Sequence, residues 1–350
     1  MEAFKNQKYV SSMISNFPAI VKRHFGHLPQ DDYPALSTFL FVSTWLSFAL
    51  DQSQSSMRSL FKRLNIRGID VDISTFSKAS KTRDPMLFYN LFIEVRGQLR
   101  KAKKLGSKSL ALFPVDSTIV TLTSKLLWSQ GYHQVKLLSG LNLLTAEPGG
   151  IFIHFGQGHD SKYGNATIDA TPENGVSVMD RGFSSLARIK ALLQENNRYF
   201  ILRIKNNIKL EMLENGRFLI GTGEEQVEGR VVNFCDLESR SEFRFVTNLP
   251  EAGELGISNE EIGEFYRLRW QIELFWKFLK MHLKLDRLIT KNMNGIQIQI
   301  YTCLIAYVLL QLVNIPKEFG DNLLDKLRYL QAFMCENISY VHWLQKLVFC

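Results

Sequence analysis

The hydrophobic pattern changes period twice along this chain, dividing it into a helical stretch, a strand-rich stretch and a second helical stretch. An apolar run opens at Pro34 and Leu36 and reaches Leu50, and Ser53 to Asn65 carries Leu60, Phe61 and Leu64 at helical spacing. A turn at Gly68 follows, and Ser74 is placed to cap a short helix through Ser80. Pro85 starts a longer helix that closes in Arg100-Lys101-Ala102-Lys103-Lys104, cations suited to the negative end of a helix. After Gly106, alternation takes over. Leu110 to Leu122, His133 to Thr145 and Ile151 to Gly156 predict three successive strands, with a turn at Gly149-Gly150 between the last two. A strand over Val176 to Asp180, a helix over Ser184 to Asn196 and a strand over Tyr199 to Lys205 then predict a mixed α/β sheet covered by helices. Strand-like segments continue at Arg217 to Gly221, Gly229 to Cys235 and Glu242 to Thr247. A long helix follows, with Ser258 as its cap, and buried helices close the chain.

The long helix has two unlike faces. At about 100° per residue, Arg269, Glu273 and Lys280 lie within roughly 60° of Tyr266. Leu268, Ile272, Phe275 and Leu279 gather on another arc and are expected to face a core. A charged stripe on such a helix is ordinarily its solvated side. A carboxylate among two cations and a phenol also suits a nuclease, in which the carboxylate holds a metal and the others grip phosphate.

Charge is distributed unevenly. The net charge is +8, and the whole excess sits in residues 1–105, which carry 16 Lys and Arg against 8 Asp and Glu. A basic excess confined to one region is the footprint of a polyanion grip. Within it, the short helices on either side of Gly68 could form a helix-turn-helix, with Ser74 to Arg83 entering a DNA groove. Four scattered cysteines (Cys235, Cys303, Cys335 and Cys350) form no C-x-x-C pair, which argues against a zinc site or disulfide framework and fits a reducing cytoplasm. No signal peptide is expected from the first residues. Leu36 to Leu50 is too short to span a bilayer, and Ile296 to Ile315 is interrupted by Gln297, Gln299, Gln311 and Asn314. Both predict buried helices.

Two aspartates upstream change the balance. Asp116 lies in a strand that otherwise favours burial, where an unpaired charge needs a cation, a metal or hydrogen-bond donors. Asp180 ends the strand Val176 to Asp180, at an edge where α/β proteins build sites. A salt bridge for Asp116, or a helix cap or Arg181 pair for Asp180, is the plain structural alternative. Three carboxylates (Asp116, Asp180 and Glu273) could together hold two Mg²⁺ ions about 3.5–4 Å apart, the arrangement that cuts phosphodiesters in line.

The spacing Tyr266-x2-Arg269-x3-Glu273-x6-Lys280 resembles the signature of the DDE transposases of the insertion-sequence-four family. Asp116-Ser117-Thr118 and Asp180-Arg181-Gly182-Phe183 resemble that family's two catalytic aspartate segments. The resemblance covers roughly residues 106–312. It implies a ribonuclease-H-like α/β core at 106–313, with a β-rich insertion at about 206–250 before the last catalytic helix. A helical DNA-binding domain at 1–105 and a C-terminal helical segment at 314–350 would flank it. It further implies a cut-and-paste DNA transposase in which Asp116, Asp180 and Glu273 bind two Mg²⁺ (or Mn²⁺) ions. Tyr266, Arg269 and Lys280 would hold phosphates at the transposon end. Nicking, a hairpin at that end, its reopening and strand transfer would follow. The expected partners are double-stranded DNA, as terminal inverted repeats and target, and a second copy in a homodimer, with a cytoplasmic, nucleoid-associated location and no membrane.

Some residues stand outside that signature. His159-Asp160 could orient DNA or a metal-bound water, and Arg203 and Lys205 could touch phosphate. Trp270 and Trp276 are expected in packing. Relatives with such an insertion can use a Trp there to stack on a flipped base. No Trp occurs here between Asp180 and Trp270, leaving Phe218, Phe234, Phe243 or Phe245 to substitute. Residues 206–265, with 5 basic and 13 acidic side chains, are ill suited to broad phosphate contact. A retired transposase kept as a DNA-binding protein and a stand-alone nuclease are the alternatives. The first would be expected to lack a catalytic carboxylate or a signature cation, and all are present.

Overall fold

The computed structural model describes residues 17–335, apart from 30–32, 34, 67, 104–109, 123–124, 129, 237–240, 254, 316–319 and 321. Its contacts divide the chain into two compact units, one of residues 1–103, 122–130 and 277–350, the other of 104–121 and 131–276.

The first unit is helical. It holds α1 (Phe17–Phe25), α2 (Thr38–Leu50), α3 (Met57–Ile66), α4 (Ile73–Thr82), α5 (Met86–Ala102), α6 (Lys125–Trp128), α12 (Met293–Leu312) and α13 (Leu323–Cys335). The cap of α4 is Asp72 rather than Ser74: the Asp72 carboxylate accepts from the Ser74 N–H at 2.6 Å, which sets the helix start two residues earlier. A carboxylate there also complements the positive helix end, which a hydroxyl does less well. α12 is apolar all round, and 83% of its apolar window is buried against α1, α2, α4, α5 and α13. It is the one helix among the described residues long and apolar enough to cross a membrane, and here it is a core helix. Lys284 sits 1% exposed in this unit, its ammonium donating to the carbonyls of Phe48 (2.7 Å) and Asp51.

The second unit is built on a nine-stranded sheet. Its strands are β1 (Ala111–Thr121), β2 (Gln134–Asn142), β3 (Glu147–Phe155), β4 (Gly175–Met179), β5 (Tyr199–Arg203), β6 (Leu210–Met212), β7 (Phe218–Ile220), β8 (Val227–Asp236) and β9 (Ser241–Thr247), in the order β3-β2-β1-β4-β5-β9-β8-β7-β6. β1, β4 and β5 run parallel and the other pairings are antiparallel, so the mixed sheet expected from the sequence is present. The segment 206–250 extends this sheet through β9, with β6 a strand that periodicity did not predict. One sheet face buries Phe113, Val115, Met179, Phe183, Ile189 and Leu202, with α7 (Asp160–Tyr163), α8 (Asn165–Ile168) and α9 (Leu186–Leu193) on that side. The other buries Leu112, Val176, Val178, Ile201, Phe245 and Ile262, the last from α10 (Asn259–Arg267), which packs on β8.

Two further expectations need correction. Gly149 and Gly150 lie inside β3, and the turn falls at residues 143–146, with Ala146 at φ +56°. Gly150 (φ +60°) serves close packing instead: a Cβ there would stand 2.6 Å from the Cα of Thr167 in α8. The long helix is two helices. α10 ends at Arg267 and α11 (Trp270–Leu283) begins after a tight turn in which Arg269 N–H bonds Tyr266 O and Ile272 N–H bonds Arg269 O. The break rotates Leu268 out to 42% exposure, so it leaves the core face on which Ile272, Phe275 and Leu279 stay buried.

Candidate active site

The parallel strands bring the aspartates together. Val115 pairs with Met179, and Met179 with Leu202. The next residue along each is Asp116, Asp180 and Arg203, so these three form one row, at the carboxyl ends of β4 and β5 and midway along β1, with strands about 4.8 Å apart. Alternation fixes their face. Leu112, Val176, Val178 and Ile201, which share their parity, belong to the core under α10. Tyr266 of α10 lies over that face, its ring centroid 4.5 Å from that of Phe245.

α10 and α11 supply the rest. Ser258 begins α10 with a full capping box, its hydroxyl accepting from Glu261 N–H at 3.2 Å while the Glu261 carboxylate accepts from Ser258 N–H at 2.8 Å. The turn at 268–269 keeps Tyr266, Arg269 and Glu273 together. Arg269 Nη2 donates to Glu273 Oε1 at 2.5 Å, and its guanidinium lies 5.9 Å from the Tyr266 ring centroid. Arg203 acts electrostatically on Tyr266 and lies 4.2 Å from the Phe243 ring centroid. Asp180 accepts from Gly182 N–H at 2.8 Å, capping the 3₁₀ turn Arg181–Phe183. It thus makes a cap and still stands in the row.

Electrostatics bind the group together. Burial pushes the Asp116 carboxyl up to about 7; the Ser117 N–H and Arg269 oppose this, and Asp180 and Glu273 add to it. Asp116, Asp180, Glu273 and Arg269 are therefore close electrostatic neighbours. Burial also raises the Tyr266 pKa, against the pull of Arg269 and Arg203, so the phenol keeps its proton at neutral pH. Lys280, the fourth member of the signature, is half-buried on α11 and falls in the helical unit.

The carboxylates are near one another without forming a closed chelate. Among the described residues no three acidic, histidine or cysteine side chains are gathered tightly enough to hold a metal ion as they stand, and Glu273 is turned to Arg269. The donor set itself fits a hard divalent cation. Carboxylate oxygens are what Mg²⁺ prefers, and the burial and repulsion acting on Asp116 are what a cation would relieve.

Buried cations that the sequence reading missed hold the surroundings. Arg188 donates to Phe183 O (2.6 Å), Ser161 O (2.8 Å) and Asn165 Oδ1 (2.7 Å), fastening the loop after β3 to the turn after Asp180. Lys136 pairs with Asp160 at 2.7 Å and donates to Gly158 O. Arg230 on β8 donates to Leu249 O, Ile257 O and Asn259 Oδ1, clamping the segment that enters α10. An arginine at an inward strand position, as in Gly229-Arg230-Val231-Val232, was the available signal. His159 is exposed, Trp276 buried and Trp270 56% exposed, so only the second tryptophan packs as expected. Of the four phenylalanines, Phe245 is fully buried, Phe234 lies beneath Arg267 and against Gly263, and Phe218 and Phe243 are half-buried.

An acidic row across the parallel strands of a mixed sheet, flanked by a guanidinium and a protonated phenol, defines a class of α/β protein suited to metal-assisted phosphoester chemistry. The chain belongs to the transposase DDE domain family, whose model matches residues 108–309. It is 63% identical over 337 residues to the proposed transposase of insertion sequence element IS4SA of Synechocystis sp., covering 96% of this chain and 99% of that one. It is 30% identical over 218 residues to the proposed transposase of IS5377 of Geobacillus stearothermophilus, covering 56% and 55% of the two chains. A shorter match, 39% over 87 residues, joins it to the transposase of IS421 of Escherichia coli, covering 25% and 23%. The insertion-sequence-four resemblance agrees with these findings.

Proposed function

We propose that this chain catalyses divalent-metal-dependent DNA strand cleavage and strand transfer for an insertion sequence, by a cut-and-paste route. The sheet of β1 to β5 is then a ribonuclease-H-like core, and β6 to β9 its insertion within a catalytic region of residues 106–313. Residues 1–105 serve as the DNA-binding domain and α13 belongs to the C-terminal helical segment expected at 314–350, of which 336–350 lie outside the described residues. The observation that carries this reading is the placing of Asp116 and Asp180 side by side on adjacent parallel strands, with the bonded pair Arg269–Glu273 near enough to act on Asp116.

In this reading Asp116, Asp180 and Glu273 hold two Mg²⁺ ions, and Tyr266, Arg269 and Lys280 grip the phosphates. Bound there, the ions supply an activated attacking oxygen and neutralise charge on the leaving one. Asp116 gives up its proton when it becomes a ligand, and Glu273 exchanges its bond to Arg269 for the same role. The freed guanidinium then faces a phosphate, where a planar fork of donors is worth more than in its carboxylate pair. Tyr266, beside Arg203, offers its retained proton to a phosphate oxygen. A hairpin at the cut end would use Phe243, the half-buried aromatic beside Arg203. The working form is a homodimer on terminal inverted repeats, in the cytoplasm at the nucleoid.

The test is cleavage of a labelled insertion-sequence end in Mg²⁺, with products resolved on a denaturing gel. Asp116→Ala, Asp180→Ala and Glu273→Ala should each abolish cleavage and leave DNA binding detectable. Full cleavage by Glu273→Ala contradicts the assignment. Lys280→Ala should slow strand transfer, and an unchanged rate would remove it from the phosphate grip.

A further inference from the structure

A cleft of about 620 Å³ opens beside Asp180, lined by His159, Ser161, Arg181, Gly182, Lys205 and Asn206. None of these is a carboxylate. The charged groups Arg181 and Lys205 are exposed, and their side chains make no hydrogen bond or ion pair among the described residues. Their charge is therefore available to a ligand. The walls are fixed, because Arg188, only 6% exposed, ties Ser161 on one side to Phe183 on the other. Asp160 stands against Gly182, where a Cβ would lie 3.3 Å from its Oδ2, and is itself held by Lys136.

Position gives the cleft its meaning. Phe183 belongs to the core on the α7–α9 side of the sheet, whereas Tyr266 lies over the opposite face. The acidic row sits between them. A DNA strand whose phosphate lies at that row would meet Arg269 and Tyr266 on one side and this cleft on the other. The volume accommodates one or two nucleotides, which suits a positively charged groove following a single backbone.

We propose that this cleft binds the continuation of the cleaved strand as single-stranded DNA, with Arg181 and Lys205 each neutralising one phosphate. His159 and Asn206 meet the sugar and base edges. The proposal rests on the catalytic reading for its meaning and is tested without catalysis. A fluorescent 20-nucleotide oligothymidylate and a blunt 20-base-pair duplex are titrated with the full chain in EDTA across 50–200 mM salt. The Arg181→Ala/Lys205→Ala variant is compared with wild type, after equal melting temperatures establish equal folding. Two lost phosphate contacts should lower the slope of log affinity against log salt by about 1.4 on the oligothymidylate. Across that range this is about a sevenfold smaller change in affinity. The slope on the duplex should be unchanged, and Arg181→Lys/Lys205→Arg should restore the wild-type slope. An unchanged oligothymidylate slope, or an equal fall on the duplex, overturns the cleft. A chain that shows the expected change yet cuts no DNA in Mg²⁺ keeps the cleft and loses the catalytic reading.

Discussion

Replacing Asp116 by asparagine should stabilise the metal-free protein at alkaline pH. Burial, reinforced by Asp180 and Glu273, raises the Asp116 pKa from 3.8 to about 7. Below about pH 4 the carboxyl is protonated in folded and unfolded chains alike, and Asp116 costs nothing. As pH rises towards 7 the unfolded chain has released this proton while the folded one retains it. Stability therefore falls through this window and levels off above it. A shift of about 3 pKa units corresponds to a ceiling of about 4 kcal/mol. The half-open position of the carboxylate screens part of this, leaving about 2 kcal/mol. At 2–4 °C per kcal/mol, Asp116→Asn should melt roughly 5 °C higher at pH 8.5 in EDTA, and no higher than wild type at pH 4. Circular dichroism melts at the two pH values read this directly. A variant that melts at or below wild type at pH 8.5 would refute the assignment of crowded charge at this edge. Mg²⁺ should then raise the wild-type midpoint more than that of the variant, since only the former has the charge to be relieved.

Two further outcomes follow from packing. Gly150→Ala should destabilise the sheet unit by about 2–3 kcal/mol, through a left-handed backbone and a collision with α8; a urea midpoint within error of wild type would show that α8 shifts freely. Lys284→Met should cost about 3 kcal/mol by leaving the carbonyls of Phe48 and Asp51 without a donor. Burial lowers the Lys284 pKa to about 8. Wild-type stability should therefore rise between pH 8 and 10.5, where only the unfolded chain binds that proton, and denaturant melts of Lys284→Met should lack the rise.

What could be read from the residues alone depended on how local the determinant was. Strand alternation placed β1, β4 and β5 to within a few residues, whereas the row of Asp116, Asp180 and Arg203 depends on the register between strands far apart in the chain. Ser258 announced its capping box through Glu261, three residues on. The break at Leu268–Arg269 was hidden because helical spacing continues on both sides of it, so the wheel projection stays plausible while the axis turns. Gly149-Gly150 misled for a related reason: glycine marks a turn in isolation, but here the need came from Thr167 on a helix that periodicity did not predict. The inward position of Arg230 hinted at burial, but the partners of Arg188, Arg230 and Lys136 were illegible because most are backbone carbonyls, which no sequence pattern displays.

The ladder that sets Asp116 beside Asp180 has a consequence for how such chains diverge. Adjacent strands hold the two acids in place however many residues run between them, so the loops can lengthen without moving either one. β9 docks on β5 and carries β6 to β8 outward, away from the strands that bear the acids. Growth or trimming at β6 and β7 alters only the far margin and leaves β8, on which α10 packs, in place. Chain separation is thus a poor ruler for this architecture, and strand rank is a good one.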